Sequence, residues 1–207
     1  MSNQRWTQIA SDIMDLYAQL DRDVASFVKG SGMHCPPGCG ACCLSPHVET
    51  TVAEMLPLAL FLFERDEVDP VIERLQASGM TCAQYEALPG QPEKGRCRSY
   101  DHRPVLCRLF GYMGSRDKTG QPRYGACRVL HKLEAERIQK VEAQLKSGSL
   151  AIPCLTPAHE RLVEIGGSWA LEMMPINRAL MRAIEIVGLS QQLDDHETGA
   201  DLEPLCS

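Results

Sequence analysis

The stretch HCPPGCGACC, His34 to Cys43, places Cys35, Cys39, Cys42 and Cys43 within nine positions. Thiols this dense serve one of three chemistries: disulfides, a metal or cluster, or a reactive nucleophile. The two-residue spacing of Cys39 and Cys42 lets both sulfurs reach one ion from a tight knuckle, with Gly40 relaxing the backbone. Pro36, Pro37 and Gly38 oppose a helix, so the chain is expected to wrap around its ligand. Adjacent side chains diverge, so Cys42 and Cys43 fit awkwardly on one mononuclear ion. Cys43 therefore either serves a second metal or cluster atom or packs as a small apolar thiol.

A second stretch supplies GRCRSYDHRPVLCRLFGY and then YGACRV. Here Cys97 and Cys107 lie too far apart for one knuckle, but Arg103-Pro104 can turn the chain back between them. Cys127 ends the stretch and could close a site. Several thiolates around one ion carry excess negative charge, which guanidinium groups nearby would stabilise. Arg103 and Arg108 suit that role, whereas Arg98 reads as solvated surface. The candidate metal ligands are thus Cys35, Cys39, Cys42, Cys43, Cys97, Cys107 and Cys127. Cys82 is ambiguous, and Cys154 and Cys206 read as incidental. His34, His47 and His102 neighbour the cysteines but are expected to make local hydrogen bonds, and His131 and His159 fall on helices.

Ten cysteines in 207 residues need a setting. A chain this long can bury a core without disulfides. The first twenty residues mix charges into their apolar positions, unlike a signal peptide. The longest apolar run, Met55 to Phe63, has nine residues, against the roughly 20 of a membrane span. A reducing cytoplasmic setting is therefore expected, where clustered cysteines point to metal or redox chemistry before structural disulfide. The formal charge of −6, with no basic face, argues against nucleic acid or anionic membrane as partners. A metal ion or cluster is the expected partner, and nothing indicates a protein partner.

The elements that must position these thiols read as helices. Trp6, Ile9, Ile13, Leu16, Tyr17, Leu20, Val24, Phe27 and Val28 recur at helical steps, predicting a helix over 3–29 stopped by Gly30 and Gly32. Thr51-Val-Ala-Glu54 resembles a capping box opening a second helix, which Pro57 interrupts or restarts. DPVIERLQASG reads as a short helix capped by Asp69 and stopped by Gly79. From Met80 to Arg128 helical periodicity is lost. It returns over 129–148, after Thr156-Pro157, and from Pro175 to Gly188. The expected fold is mainly α, with helices packed around two irregular cysteine-rich stretches that share a metal or cluster site. One domain over 1–188 is expected, with a metal-binding core at about 33–128, helical flanks at 3–29 and 129–188, and an acidic mobile tail at 189–207.

The two cysteine stretches together resemble the YkgJ-type cysteine-cluster family, a zinc- or iron-chelating domain. Its pattern is C-x-x-x-C-x-x-C-C, then a cysteine closely followed by an aromatic, then R-P-x-x-C-R. These elements are Cys35, Cys39, Cys42 and Cys43; Cys97 with Tyr100; and Arg103, Pro104, Cys107 and Arg108. Many members carry a further cysteine shortly before the position of Cys97; either Ala87 stands there or Cys82 has taken the role. The resemblance implies metal or cluster binding and says little about a reaction. It extends to part of the flagellin lysine methylase, so methyl transfer is an alternative function, as is a thiol redox sensor. Cys35, Cys39 and Cys42 also have the spacing of radical S-adenosylmethionine enzymes, but the strand–helix alternation of such barrels is missing. No Gly-rich nucleotide loop supports an ordinary methyltransferase, and no βαβ scaffold supports a dithiol redox motif. Surplus cysteines beyond the four ligands of one tetrahedral ion tilt the choice from zinc toward an iron–sulfur cluster.

Overall fold

The computed structural model describes residues 3–198. Helix α1 (Asn3–Ser31) buries Trp6, Ile9, Ile13, Tyr17, Leu20 and Phe27, the stripe that the three- and four-residue apolar spacing marks out. It runs through Gly30 and ends at Gly32, whose φ of +67° is the left-handed turn that glycine allows at a helix end. Helix α2 (Val52–Glu64) is buried on almost every side, and Pro57 sits inside it without dividing it. Thr51 caps it in a complete capping box with Glu54, as the sequence predicts. Helix α3 (Val68–Ala77) begins one residue before Asp69, with Pro70 in its first turn.

The stretch from Met80 to Arg128 is more regular than its lost helical periodicity implies. It folds as one antiparallel hairpin of β2 (Tyr85–Leu88) and β3 (Gln91–Cys97), then helix α4 (Val105–Leu109), then a second hairpin of β4 (Gly114–Arg116) and β5 (Pro122–Tyr124). These strands are short and largely exposed, so they lack the alternating apolar pattern by which a strand is read. Strand β1 (Glu49–Thr50) pairs with β6 (Met174–Pro175). Among the described residues the only sheets are these three two-stranded antiparallel ribbons, so neither a strand–helix barrel nor a βαβ scaffold is present.

The helix expected over 129–148 is two, α5 (Arg128–Leu133) and α6 (Ala135–Lys146). The turn at Glu134 lets Leu130 of α5 and Ile138, Val141 and Leu145 of α6 all reach a cluster around Phe27. Helix α7 (Leu155–Gly166) follows, then a 3₁₀ turn at Gly167–Ala170. Helix α8 (Ile176–Thr198) corrects the expected tail: residues 189–198 are helical, and 199–207 lie outside the described residues. Gly188 does not stop α8. It is a point of close approach, where an added Cβ would stand 3.0 Å from the Phe63 ring of α2. Ser190 is buried, and the Asp194 carboxylate accepts from the Asn3 backbone N–H at 2.9 Å, tying the end of α8 to the start of α1.

Two apolar clusters result. The larger joins α1, α2, α4, α7 and α8; the smaller gathers the C-terminal end of α1, β5, α5 and α6. Glu54, 3% exposed, fixes the larger one. Its Oε2 accepts from Thr50 Oγ1 at 2.7 Å and from the Thr51 N–H and Oγ1, each at 3.0 Å. Its Oε1 accepts from the Val105 N–H at 2.9 Å, an otherwise orphaned donor in the first turn of α4. One carboxylate therefore caps two helices. Removing it strands several buried donors at once, so Glu54→Ala is expected to cost about 2–4 kcal/mol in urea unfolding. A loss as small as that of the exposed Glu160→Ala would refute the double-cap role.

Candidate metal centre

The first cysteine loop docks on the β2–β3 hairpin. Cys39 pairs with Lys94 in an antiparallel bridge, and the Gly95 N–H donates to the Gly38 carbonyl at 2.9 Å. The Tyr85 ring fills the space between loop and hairpin, which is why Gly40 cannot carry a side chain: an added Cβ would meet that ring at 2.5 Å. The Cys82 N–H donates to the Cys43 carbonyl at 3.0 Å, and the Tyr112 hydroxyl accepts from the Cys35 N–H at 2.8 Å. Asn177, at the start of α8, holds the turn before β2: its Oδ1 accepts from the Ala83 N–H at 2.9 Å, and its Nδ2 donates to the Thr81 carbonyl at 2.8 Å. That turn carries Cys82.

These contacts bring the two stretches to one cavity of about 610 Å³. Cys35, Cys39, Cys42, Cys43, Cys97, Cys107 and Cys127 all line it, and so does Cys82. The sequence left Cys82 ambiguous. The signal that could have found it is the family-like expectation of one more cysteine before Cys97; Ala87 instead lies in β2 opposite Gly95. Cys154 does not line the cavity; it precedes α7, its thiol against the Ile152 carbonyl at 3.6 Å. Cys206 lies outside the described residues. His102 lines the cavity wall with its ring stacked on Phe61 at 4.4 Å, whereas His34 and His47 are exposed and line none of it.

The cavity opens at the seam of the two apolar clusters: Cys43, Cys82 and Cys107 pack on the larger, Cys127 and Tyr112 on the smaller. Arg108, 3% exposed, stands beside it with its guanidinium 4.2 Å over the Tyr17 ring. It is already engaged with the Asp21 carboxylate and the Asp101 and Arg103 carbonyls. Arg103 also lines the cavity and lies 3.5 Å over the Tyr100 ring. Arg98 is the surface residue that the sequence suggests, paired with Glu86 at 3.2 Å.

Burial governs the thiols. It pushes Cys82 up to about 11 and Cys107 up further, with the Cys82, Cys42 and Cys97 charges adding to the effect at Cys107. Burial, then the neighbouring Cys39, takes Cys35 up to about 12. Cys42 moves the other way, to about 6, chiefly through its hydrogen bond with the Cys43 thiol, the two sulfurs 4.0 Å apart. The same bond keeps the proton on Cys43. The donor chemistry fits a thiophilic ion. Among the described residues, no three His, Cys, Asp or Glu side chains are arranged to hold one. Binding would therefore have to draw sulfurs together and displace their protons.

The CxxCxxCC family, described as "Putative zinc- or iron-chelating domain", matches residues 34–146. That span is more than half of the chain and includes every cysteine of the cavity, and the chain belongs to this family. No curated protein and no solved structure matches the chain. No helix among the described residues is long and apolar enough to cross a membrane.

The contrast between Cys42 and Cys35 is measurable in metal-free, reduced protein. With Cys42 lowered to about 6 and Cys35 raised to about 12, Cys42 is expected to carry the thiolate at neutral pH and the more exposed Cys35 its proton. Iodoacetamide followed by peptide mass mapping should find Cys42 modified first, with a rate that rises as pH passes from 5 to 7 on the order of that shift. Faster labelling of Cys35 would contradict the hydrogen-bonded pair.

Proposed function

We propose that this protein binds iron or zinc through cysteine thiolates in the cavity between its two apolar clusters, and that an iron–sulfur cluster is the favoured form. The observation that carries the reading is the convergence of eight cysteines, from both stretches, on one cavity. One tetrahedral ion takes four ligands. The surplus favours a polynuclear centre, and the doublet Cys42-Cys43 then serves two different metal atoms. The proposed ligands are drawn from Cys35, Cys39, Cys42, Cys43, Cys97, Cys107 and Cys127, with Cys82 added by its place on the wall. Arg103 offsets thiolate charge from the rim, and Arg108 does so from beneath. Free thiolates at this density need a reducing compartment, so a cytoplasmic location accompanies the proposal.

The test is metal and acid-labile sulfide analysis of anaerobically purified protein. Brown protein with iron and sulfide supports the cluster. Colourless protein with stoichiometric zinc supports a zinc site, and protein with neither defeats the proposal. Cys39→Ser and Cys107→Ser should lose most of the metal, while Cys154→Ser and Cys206→Ser keep it. Cys127→Ser should fall between them. Equal losses in the Cys107 and Cys154 variants would show that the cavity is not the site.

Chelation gives a second test. Binding energy for the folded state is folding energy. Stripping the metal should speed hydrogen exchange over 35–43 and 97–127 while α1, α2 and α8 stay protected. Unchanged exchange in the cysteine stretches would count against a metal that organises them.

A further inference from the structure

A second cavity, of about 730 Å³, shares Gln84, Arg96, Cys97, Ser99 and Tyr100 with the cysteine cavity. Its remaining walls come from α2 and α3, with Phe61 and Pro70 giving apolar surface, and from Glu86 and Arg98 of the hairpin region. Its charged lining is unbalanced: Arg74, Arg96 and Arg98 face Glu67 and Glu86. Glu86 is shared, accepting from Arg96 at 2.6 Å and pairing with Arg98 at 3.2 Å. Glu67 is taken by Arg65 at 3.0 Å, outside the cavity lining. Arg74 makes none of the ion pairs among the described residues, and its Nε is buried without a hydrogen-bond partner. Burial, then the neighbouring Arg98 charge, disfavours its protonated form, with the Glu67 and Glu73 carboxylates opposing them. Two neighbouring guanidinium groups, one of them without an ion pair, suit an anion.

A second group points the same way. Gln84 is 4% exposed; its Oε1 accepts from Ser99 Oγ at 3.0 Å, but its Nε2 has no partner. Buried donors without acceptors are uncommon, and here two of them border one cavity. The charge balance limits the ligand. With Glu67 paired to Arg65, the lining Arg74, Arg96 and Arg98 face Glu86 alone and favour an anion, and the apolar surface of Phe61 and Pro70 favours one with an apolar body over bare phosphate.

We propose that this cavity binds a small carboxylate-bearing molecule, its carboxylate gripped by Arg74 and Arg98 and its apolar body lying against Phe61, Pro70 and Tyr100. A planar guanidinium fork suits the bidentate grip of a carboxylate. The proposal goes beyond metal binding and does not require it, although Cys97 in the shared wall would bring the ligand beside the metal centre.

Isothermal titration of the protein as purified, with benzoate, acetate and inorganic phosphate as probes, tests this. Saturable benzoate binding that is tighter than phosphate binding is expected. Arg74→Gln should weaken benzoate binding by about tenfold or more, the loss of a charge-assisted contact. Arg74→Lys, which keeps the charge but not the fork, should fall in between, and Arg161→Gln on the exposed face of α7 should match wild type. Far-UV circular dichroism and metal content, measured on the same samples, separate loss of this cavity from loss of the fold or of the cysteine site. Should Arg74→Gln fail to fold, Arg98→Gln gives the same reading. Absence of saturable benzoate binding, phosphate binding tighter than benzoate, or wild-type affinity in folded Arg74 and Arg98 variants would overturn the proposal.

Discussion

The buried Glu54 carboxylate is the constraint on which the arrangement of the cysteine stretches rests. A carboxylate out of water is costly unless its oxygens are satisfied, and Glu54 meets that condition with four donors from two segments. Two of its partners belong to Thr51, beside it in sequence. The Val105 N–H is fifty-one positions away, on the short helix that carries Cys107 and Arg108. The backbone carbonyl of Glu54 accepts from the Tyr17 hydroxyl at 2.8 Å, which brings α1 into the same network. Burial, then the Glu54 charge, holds the Tyr17 phenol protonated, and the Arg108 guanidinium lies over its ring. A chain of contacts thus runs from the cap of α2 through Tyr17 to the wall of the cysteine cavity.

That cavity sits where two apolar clusters meet, and the position has energetic consequences. The buried apolar residues fall into two clusters, and α1 contributes to both, its Phe27 end to the smaller one. Thiols from both sides face one another there. In the absence of a cation most keep their protons because burial penalises the thiolate. A bound thiophilic ion would replace those protons and link the two clusters through covalent-strength bonds. The metal would then act as a cross-link between the two clusters. Arg103 and Arg108, which both line the cavity, differ in their other ties: Arg108 is bound to the Asp21 carboxylate and two backbone carbonyls, while Arg103 lies over the Tyr100 ring.

The helices were legible because their apolar residues recur at helical steps, and the cap of α2 because its four residues lie together. The hairpins were not. Tyr85–Leu88 and Gln91–Cys97 bury too little for alternation to show, and what holds them is pairing with one another and with the loop at Gly38 and Cys39. A glycine in sequence does not show which use it serves. Gly32 does end a helix, whereas Gly188 permits α2 and α8 to approach, and no local signal separates the two uses. The length of α8 is hidden for a related reason: residues 189–198 are largely polar, and Asp194 among them is anchored by Asn3, at the other end of the chain.

The candidate site divides along the same line. Types and local spacings of the thiols alone pointed to the chelating-domain family, since soft donors two and three residues apart suit a thiophilic ion. Cys35 to Cys43 and the Arg-Pro-x-x-Cys-Arg string carry that information locally. Which cysteines share a cavity was decided only in three dimensions. Cys82 joins through its backbone bond to Cys43 and through Asn177, ninety-five positions onward in α8, and Cys154 stays out although it too is a half-buried thiol. Spacing along a chain reports what neighbouring residues can do together. Membership of a site depends on packing between distant segments, to which each residue contributes a volume and a hydrogen bond but no local pattern.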